Sequence, residues 1–268
     1  MAKSSILVAG AGGRMGKAVV AEVLRTPGAT LAGGFERPEG NDIGKDIGVL
    51  AGLDAIGLVV EDSAQAGLKR AGALIDFTAP AVSVANAEAA AAANVAHIIG
   101  TTGFSGADED AIARAAEKTA IVKSGNMSLG VNLLSALVED AARRLDDNFD
   151  IEIFEAHHRA KVDAPSGTAI MLGEAAARGR GVSLADKAAG MAGPRTGARK
   201  AGDIGFSVFR GGGVVGKHTV SFAAMEEVIS LSHTAIDRAL FARGAVAAAR
   251  WAVGKPPGLY SMRDVLGL

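Results

Sequence analysis

Between Glu155 and Ala169 the chain reads Glu-Ala-His-His-Arg-Ala-Lys-Val-Asp-Ala-Pro-Ser-Gly-Thr-Ala. Four of the five residues His157, His158, Arg159, Ala160 and Lys161 are basic or can become so. Imidazole titrates near neutrality, and a lysine crowded by other basic groups can be brought to a useful pKa. The segment can therefore exchange protons and hold an anion. Metal ligation is the poorer reading: no thiolate is present, no His-Glu-x-x-His occurs, and Arg159 and Lys161 would repel a cation. A solvated basic loop remains the plain alternative. Ser166, directly after Pro165, suits a helix N-cap. The N–H groups of Gly167 and Thr168 would then point out of the first helical turn toward an anion. A carboxylate held there, beside His and Lys, makes a coherent small-molecule site.

A second group of residues suits a nucleotide. Gly10-Ala11-Gly12-Gly13-Arg14-Met15-Gly16 lies between an apolar run and an amphipathic one. Glycines let backbone approach a pyrophosphate, and a helix N-terminus offers unpaired N–H groups to it. The strict Gly-x-Gly-x-x-Gly spacing is not met, because Met15 stands at its last position; the repeat is Gly10-x-x-Gly13-x-x-Gly16. Glu36 follows at about the 20-residue distance expected of a ribose-binding acid. Arg37, and also Arg14, could instead face a 2′-phosphate. The alternative is a glycine turn that only packs a helix on a strand. Gly100-Thr101-Thr102-Gly103 and Ser124-Gly125-Asn126-Met127 also follow strand-like runs. They are candidates for the nicotinamide end of the same ligand, or ordinary turns.

These residues need elements to hold them. Residues 4–9 form a continuous apolar run, the mark of a strand buried on both faces. Helix 17–24, strand 30–35, loop 38–52, strand 73–77, helix 81–93, strand 96–100, helix 108–118 and strand 120–122 follow. Strands alternating with helices imply right-handed crossovers and a parallel sheet. Past residue 127 the pattern changes. A helix over 131–145 leads to a polar–apolar alternation over 150–155, with the basic segment as the loop after it and a helix over 166–178. Residues 179–203 read as a long loop. Short strands are expected at 204–210, 214–215, 218–225 and 228–232, and a final helix at 236–253. The expected class is α/β: a parallel-sheet domain, plus a second α+β domain with a mixed, largely antiparallel sheet.

Composition narrows the function. The 268 residues carry 28 Lys+Arg against 29 Asp+Glu, a net charge of −1 that argues against coating nucleic acid. No Cys is present, which removes disulfide scaffolds, thiol nucleophiles and Cys-ligated metals. No run reaches the ~18 apolar residues of a spanning helix. The expectation is a soluble, cytoplasmic protein without membrane or nucleic-acid partners. Gly is the unusual item, 36 of 268 residues against a typical ~7%.

The glycine turn, Glu36-Arg37, Gly100-Thr101-Thr102-Gly103 and above all the segment from Glu155 to Thr168 resemble the dihydrodipicolinate reductases of lysine biosynthesis. The likeness runs to the tail Gly258-Leu259-Tyr260-Ser261-Met262-Arg263-Asp264-Val265-Leu266. It implies a Rossmann-type domain from residues 1–127 and 238–268, and a substrate-binding, homotetramer-forming domain from 128–237. It implies that His157 is the proton donor/acceptor and Lys161 the proton donor. His158, Gly167 and Thr168 would bind a small dicarboxylate substrate. Nucleotide contacts would come from Gly10, Ala11, Gly12, Gly13, Arg14, Met15, Glu36, Gly100, Thr101, Thr102, Ser124, Gly125, Asn126 and Met127. Arg37 would be associated with NADP. The cofactor would be NADH or NADPH, and no metal is expected. Lys217 departs from the family, which usually has an acidic residue before His218. A non-catalytic dinucleotide-binding regulator and another nicotinamide enzyme, such as an amino-acid dehydrogenase, are the rivals.

Overall fold

The computed structural model describes residues 4–189 and 197–268. The chain forms two compact units, Met1–Leu129 with Ala239–Leu268, and Gly130–Arg238. The first unit begins β1 (Ser4–Ala9), α1 (Arg14–Arg25), β2 (Ala29–Phe35). Then come α2 (Ile47–Leu50), β3 (Val60–Glu61), α3 (Gln65–Leu68), β4 (Ala73–Asp76), α4 (Pro80–Ala93), β5 (Ala96–Ile99), α5 (Gly106–Ala116) and β6 (Ala120–Lys123). The second unit contains α6 (Leu129–Arg144, its first residue in the first unit), β7 (Asp150–His157), α7 (Gly167–Arg180) and α8 (Leu184–Lys187). It continues through β8 (Ala188–Ala189), β9 (Ile204–Arg210), β10 (Gly216–Ala223) and β11 (Val228–Ala235). The chain then returns to the first unit as α9 (Ala239–Ala252), β12 (Gly258–Tyr260) and α10 (Met262–Leu266).

The first unit is a seven-stranded parallel sheet in the order β12-β6-β5-β4-β1-β2-β3. The order reverses between β1 and β4, and a parallel sheet takes its ligand beyond the strand C-termini at such a switch. Ile6, Val8, Ile75, Ile98 and Val122 pack with Val19, Val20, Val23 of α1 and Ala245, Ala249 of α9 on one face. Leu7 and Leu74 face Leu68 and Ala90, and Ile99 and Ile121 face Ile112. Helices thus cover both faces, which is why the strands read as unbroken apolar runs. Local signals set the ends: Pro80 opens α4, Asn94 closes it in the left-handed conformation, and Ser105 with Asp108 forms a capping box on α5. The expected loop 38–52 holds α2, capped by Asp46.

The second unit is a five-stranded sheet, β11-β10-β7-β9-β8. Antiparallel pairing holds for β11–β10–β7 only; β7–β9 and β8–β9 are parallel. The chain between β7 and β9 passes through α7, and a helical crossover returns a strand in the same direction. Ile151, Ile153, Phe206, Val220 and Phe222 pack against Leu134 and Val138 of α6 and Leu172 and Ala176 of α7. Three expectations change here. Residues 214–215 are not strand but follow the Gly211-Gly212-Gly213 turn, where Gly212 has φ +53°. Residues 179–203 are not one loop: α7 runs to Arg180, α8 and β8 follow, and 190–196 lie outside the described residues. β11 runs on to Ala235, so the last long helix starts at Ala239 rather than 236.

Candidate active site

In the first unit the predicted nucleotide residues gather at the C-terminal ends of β1, β2, β5 and β6. Gly10 leaves β1 with φ +64°, a left-handed turn that favours glycine. Gly16 is the packing glycine: a methyl group on it would run into the Gly10 carbonyl and the Ala11 backbone. This explains the shifted spacing, since the repeat must place a glycine where α1 crosses β1. Glu36, just past β2, accepts from the Gly12 N–H at 3.0 Å. Arg14 and Arg37 are both exposed. Gly13 caps α1 without any side-chain bond, and no acidic residue stands in the first turn. That N-terminus therefore offers backbone donors and a positive dipole end, the donor set a pyrophosphate requires.

Gly100 donates to the Asp76 carbonyl at 2.8 Å and packs against the Phe77 ring. Thr101 is buried and accepts from the Ser83 hydroxyl at 2.8 Å, while Thr102 is exposed. Ser124 donates to the Asn126 carbonyl and accepts from the Asn126 N–H; Gly125 is exposed. Met127 and Ala11 bury their side chains in the core, so only their backbones can serve a ligand. Sequence reasoning missed one feature of this unit. Asp76, fully buried at the end of β4, accepts from Thr78 and Asn86 and lies 3.4 Å from the buried His97 Nε2. Burial alone would raise its pKa, but His97, Asn86 and Thr78 outweigh that and hold it at about 2. The signal was visible: an acid closing an otherwise apolar strand run.

In the second unit His157 is not in a loop. It is the last residue of β7, paired in register with Arg210 of β9. Its phase on the strand is that of Ile151 and Ile153, so it points to the packed face together with Glu155. Glu155 is fully buried. Its Oε2 lies 2.5 Å from His157 Nδ1 and accepts from Arg210 at 2.8 Å; Oε1 accepts from Arg210 at 2.7 Å and from the Ser166 N–H at 3.0 Å. Burial would raise the carboxyl, yet these bonds hold it below the usual carboxylate range. An ionised Glu155 makes Nδ1 the protonated nitrogen of neutral His157, leaving the Nε2 lone pair as its reactive site. Burial pushes the His157 pKa down; Glu155 opposes this, while Lys161 and Arg210 add to it.

Ser166 caps α7, accepting from the Ala169 N–H at 3.2 Å, and its hydroxyl shares a hydrogen bond with His218 Nε2 at 3.1 Å. Gly167 and Thr168 open that helix. Lys161 is paired with Asp163 at 2.7 Å and lies in a loop tied to the β9–β10 turn through the Arg159 N–H and the Gly212 carbonyl. His158 Nε2 is 3.4 Å from Arg238. Glu155, His157 and His218 cluster closely enough to share a cation, but Arg210 already sits bidentate on the carboxylate.

His218, 4% exposed, has its pKa pushed to about 4, mainly by burial and then by the neighbouring His157. The unfolded chain takes up this proton below about pH 6.5, and the folded chain only near 4. Stability should therefore fall as pH drops through that window, by on the order of 3 kcal/mol, and level off below it. Urea unfolding measured across pH 7 to 4 should show a flatter decline for His218→Gln; an unchanged slope would refute this.

Comparison with known proteins adds independent findings. Residues 4–127 match the family model described as dihydrodipicolinate reductase, N-terminus, and residues 130–266 match the corresponding C-terminus model. A 4-hydroxy-tetrahydrodipicolinate reductase of Rhodopseudomonas palustris (strain TIE-1) is 53% identical over 268 residues, covering 100% of this chain and 99% of the relative. One from Parvibaculum lavamentivorans is 56% identical over 264 residues, 98% and 97% of the two chains. Among solved structures, a dipicolinate-bound dihydrodipicolinate reductase from Paenisporosarcina sp. TG-14 superposes with TM-score 0.79 at 22% identity, covering 98% and 99%. An amine dehydrogenase from Mycobacterium smegmatis follows at TM-score 0.65 and 14% identity, covering 97% and 94%. At such identities these two likenesses speak of the fold alone.

Proposed function

Because the chain belongs to the dihydrodipicolinate reductase family, we propose that it reduces 4-hydroxy-tetrahydrodipicolinate, by way of dihydrodipicolinate, to tetrahydrodipicolinate in the diaminopimelate route to lysine. The reading makes residues 1–127 with 238–268 the dinucleotide-binding domain. Residues 128–237 are then the substrate-binding and oligomerisation domain. One observation carries the chemical part: a single buried carboxylate joins His157 to the first turn of α7. An acid–base imidazole and a carboxylate-binding helix start are thereby held in one frame.

Reduced nicotinamide, when bound, supplies a hydride to C4 of the conjugated cyclic imine that the substrate becomes on losing water. His157 and Lys161 supply positive charge and protons as the electron pair moves toward the ring nitrogen and C3 takes up a proton. The N–H groups of Gly167 and Thr168, with His158, hold the carboxylates. Glu36 suits ribose hydroxyls, and Arg37 with Arg14 suits a 2′-phosphate, so the site takes NADH or NADPH. The homotetramer forms through the open face of the second sheet, where Phe154, Phe209 and Val228 are exposed. Lys217, exposed on that same face, adds a positive charge to it. No described helix is long and apolar enough to cross a membrane. A cytoplasmic location without nucleic-acid or membrane partners completes the proposal.

The test generates substrate from pyruvate and aspartate semialdehyde and follows the absorbance of the reduced cofactor. A loss of absorbance with NADH or NADPH is expected. No change with either would favour the non-catalytic regulator or a different dehydrogenase.

A further inference from the structure

Glu155 is the one fully buried carboxylate at the His157 site, and burying a charge is costly unless it is paired and hydrogen-bonded. Arg210 meets that cost with a two-pronged grip. Each carboxylate oxygen takes one guanidinium N–H and one further partner: His157 Nδ1 on Oε2, the Ser166 N–H on Oε1. The fork fixes the carboxylate plane, and the plane fixes both partners. Arg210 reaches further, donating to the Asp163 carbonyl at 2.6 Å, two residues beyond Lys161. Gly216, opposite His157 across β10, leaves room for the ring: a methyl group there would stand 3.2 Å from Nε2.

We propose that Glu155, gripped by Arg210, is the positioning residue of the reductase site, setting the tautomer and orientation of His157 and, with the same carboxylate, the start of α7. This inference rests on the acid–base role given to His157 above. Glu155 touches no substrate. It acts through His157 by accepting from Nδ1 and so keeping Nε2 free to exchange a proton. It also stabilises the imidazolium when one forms. The groups around His157 are Glu155 on its own strand, Arg210 on β9, His218 on β10 and Lys161 and His158 in the following loop, with His233 of β11 beyond His218. With the Glu155 charge removed, the cations dominate that set and protonated His157 is disfavoured.

The test is Glu155→Gln, nearly identical in shape. Its amide N–H would donate to Nδ1 and reverse the tautomer. By analogy with a carboxylate that orients a catalytic imidazole, kcat should fall about 100-fold or more. The pH-profile limb that reports His157 should move to lower pH. Affinity for reduced cofactor should not change. Dipicolinate binding, read by calorimetry, should stay within about threefold, because Gln keeps an oxygen for the Ser166 N–H. In a His157→Ala background, adding Glu155→Gln should cost less than about threefold, since nothing remains to position. Multiplying losses in the double variant, or a Glu155→Gln enzyme with near-native kcat and an unmoved pH profile, would overturn the proposal. Should Glu155→Gln not fold, Arg210→Lys keeps the charge and surrenders the fork. It should lower kcat about tenfold, again without further effect in the His157→Ala background. Activity retained in His157→Ala alone would instead defeat the parent reading, so the two failures separate.

Discussion

Replacing Lys161 by alanine is expected to lower kcat/KM by about a thousandfold, within the range ascribed to positioned acids and bases. The structure isolates this effect from folding. The Lys161 ammonium is paired with Asp163, itself half exposed, and exposed pairs contribute only about 0–1 kcal/mol. Stability should thus be nearly unchanged while the proposed chemistry loses its assigned proton donor and a positive charge. His157→Ala should act in the same direction. Steady-state kinetics beside thermal unfolding checks both. Variants with full activity, or a Lys161→Ala enzyme that loses activity only because it unfolds, would count against the assignment.

The second large effect is structural in origin and functional in readout. Gly16→Ala places a methyl group against the Gly10 carbonyl and the Ala11 backbone, neither of which can turn away as a side chain could. α1 must shift off β1, which costs about 1–3 kcal/mol by the measure of overpacked interiors. The shift also misaims the N–H groups at the start of α1. Affinity for reduced nicotinamide dinucleotide should fall about 100-fold, equivalent to ~2.7 kcal/mol. Fluorescence titration of the cofactor reads this directly. Binding within threefold of the parent would mean the helix start is not where the pyrophosphate is held.

The first unit was largely legible in the sequence because its strands are buried on both faces. Ile6-Leu7-Val8, Leu74-Ile75 and Ile98-Ile99 announce themselves, and the glycines after β1 mark where backbone and helix nearly touch. Short edge pieces such as β3, α3 and β12 carried too little pattern to be found. The second unit hid more. The alternation over 150–155 marks the strand but does not by itself show that Glu155 and His157 fall on the apolar phase with Ile151 and Ile153. A glutamate on the buried phase of a strand is the signal that was available. Arg210 gave no such signal. It meets His157 only through the parallel register of β7 and β9, across 53 residues of chain, and no local spacing encodes that pairing. The basic residues were therefore readable as chemistry, while the carboxylate bonded to His157 and the guanidinium that grips it were not.

The proposed function requires hydride transfer to C4 of the unsaturated ring with protonation at C3. Reduced nicotinamide dideuterated at its own C4, turned over with substrate made in place, tests it most directly by mass and NMR analysis of the product. One deuterium is expected at product C4, and, in a parallel run with unlabelled cofactor in D2O, deuterium at C3 instead. Unlabelled product from the deuterated cofactor, or oxidation of the cofactor without any tetrahydrodipicolinate, would contradict it.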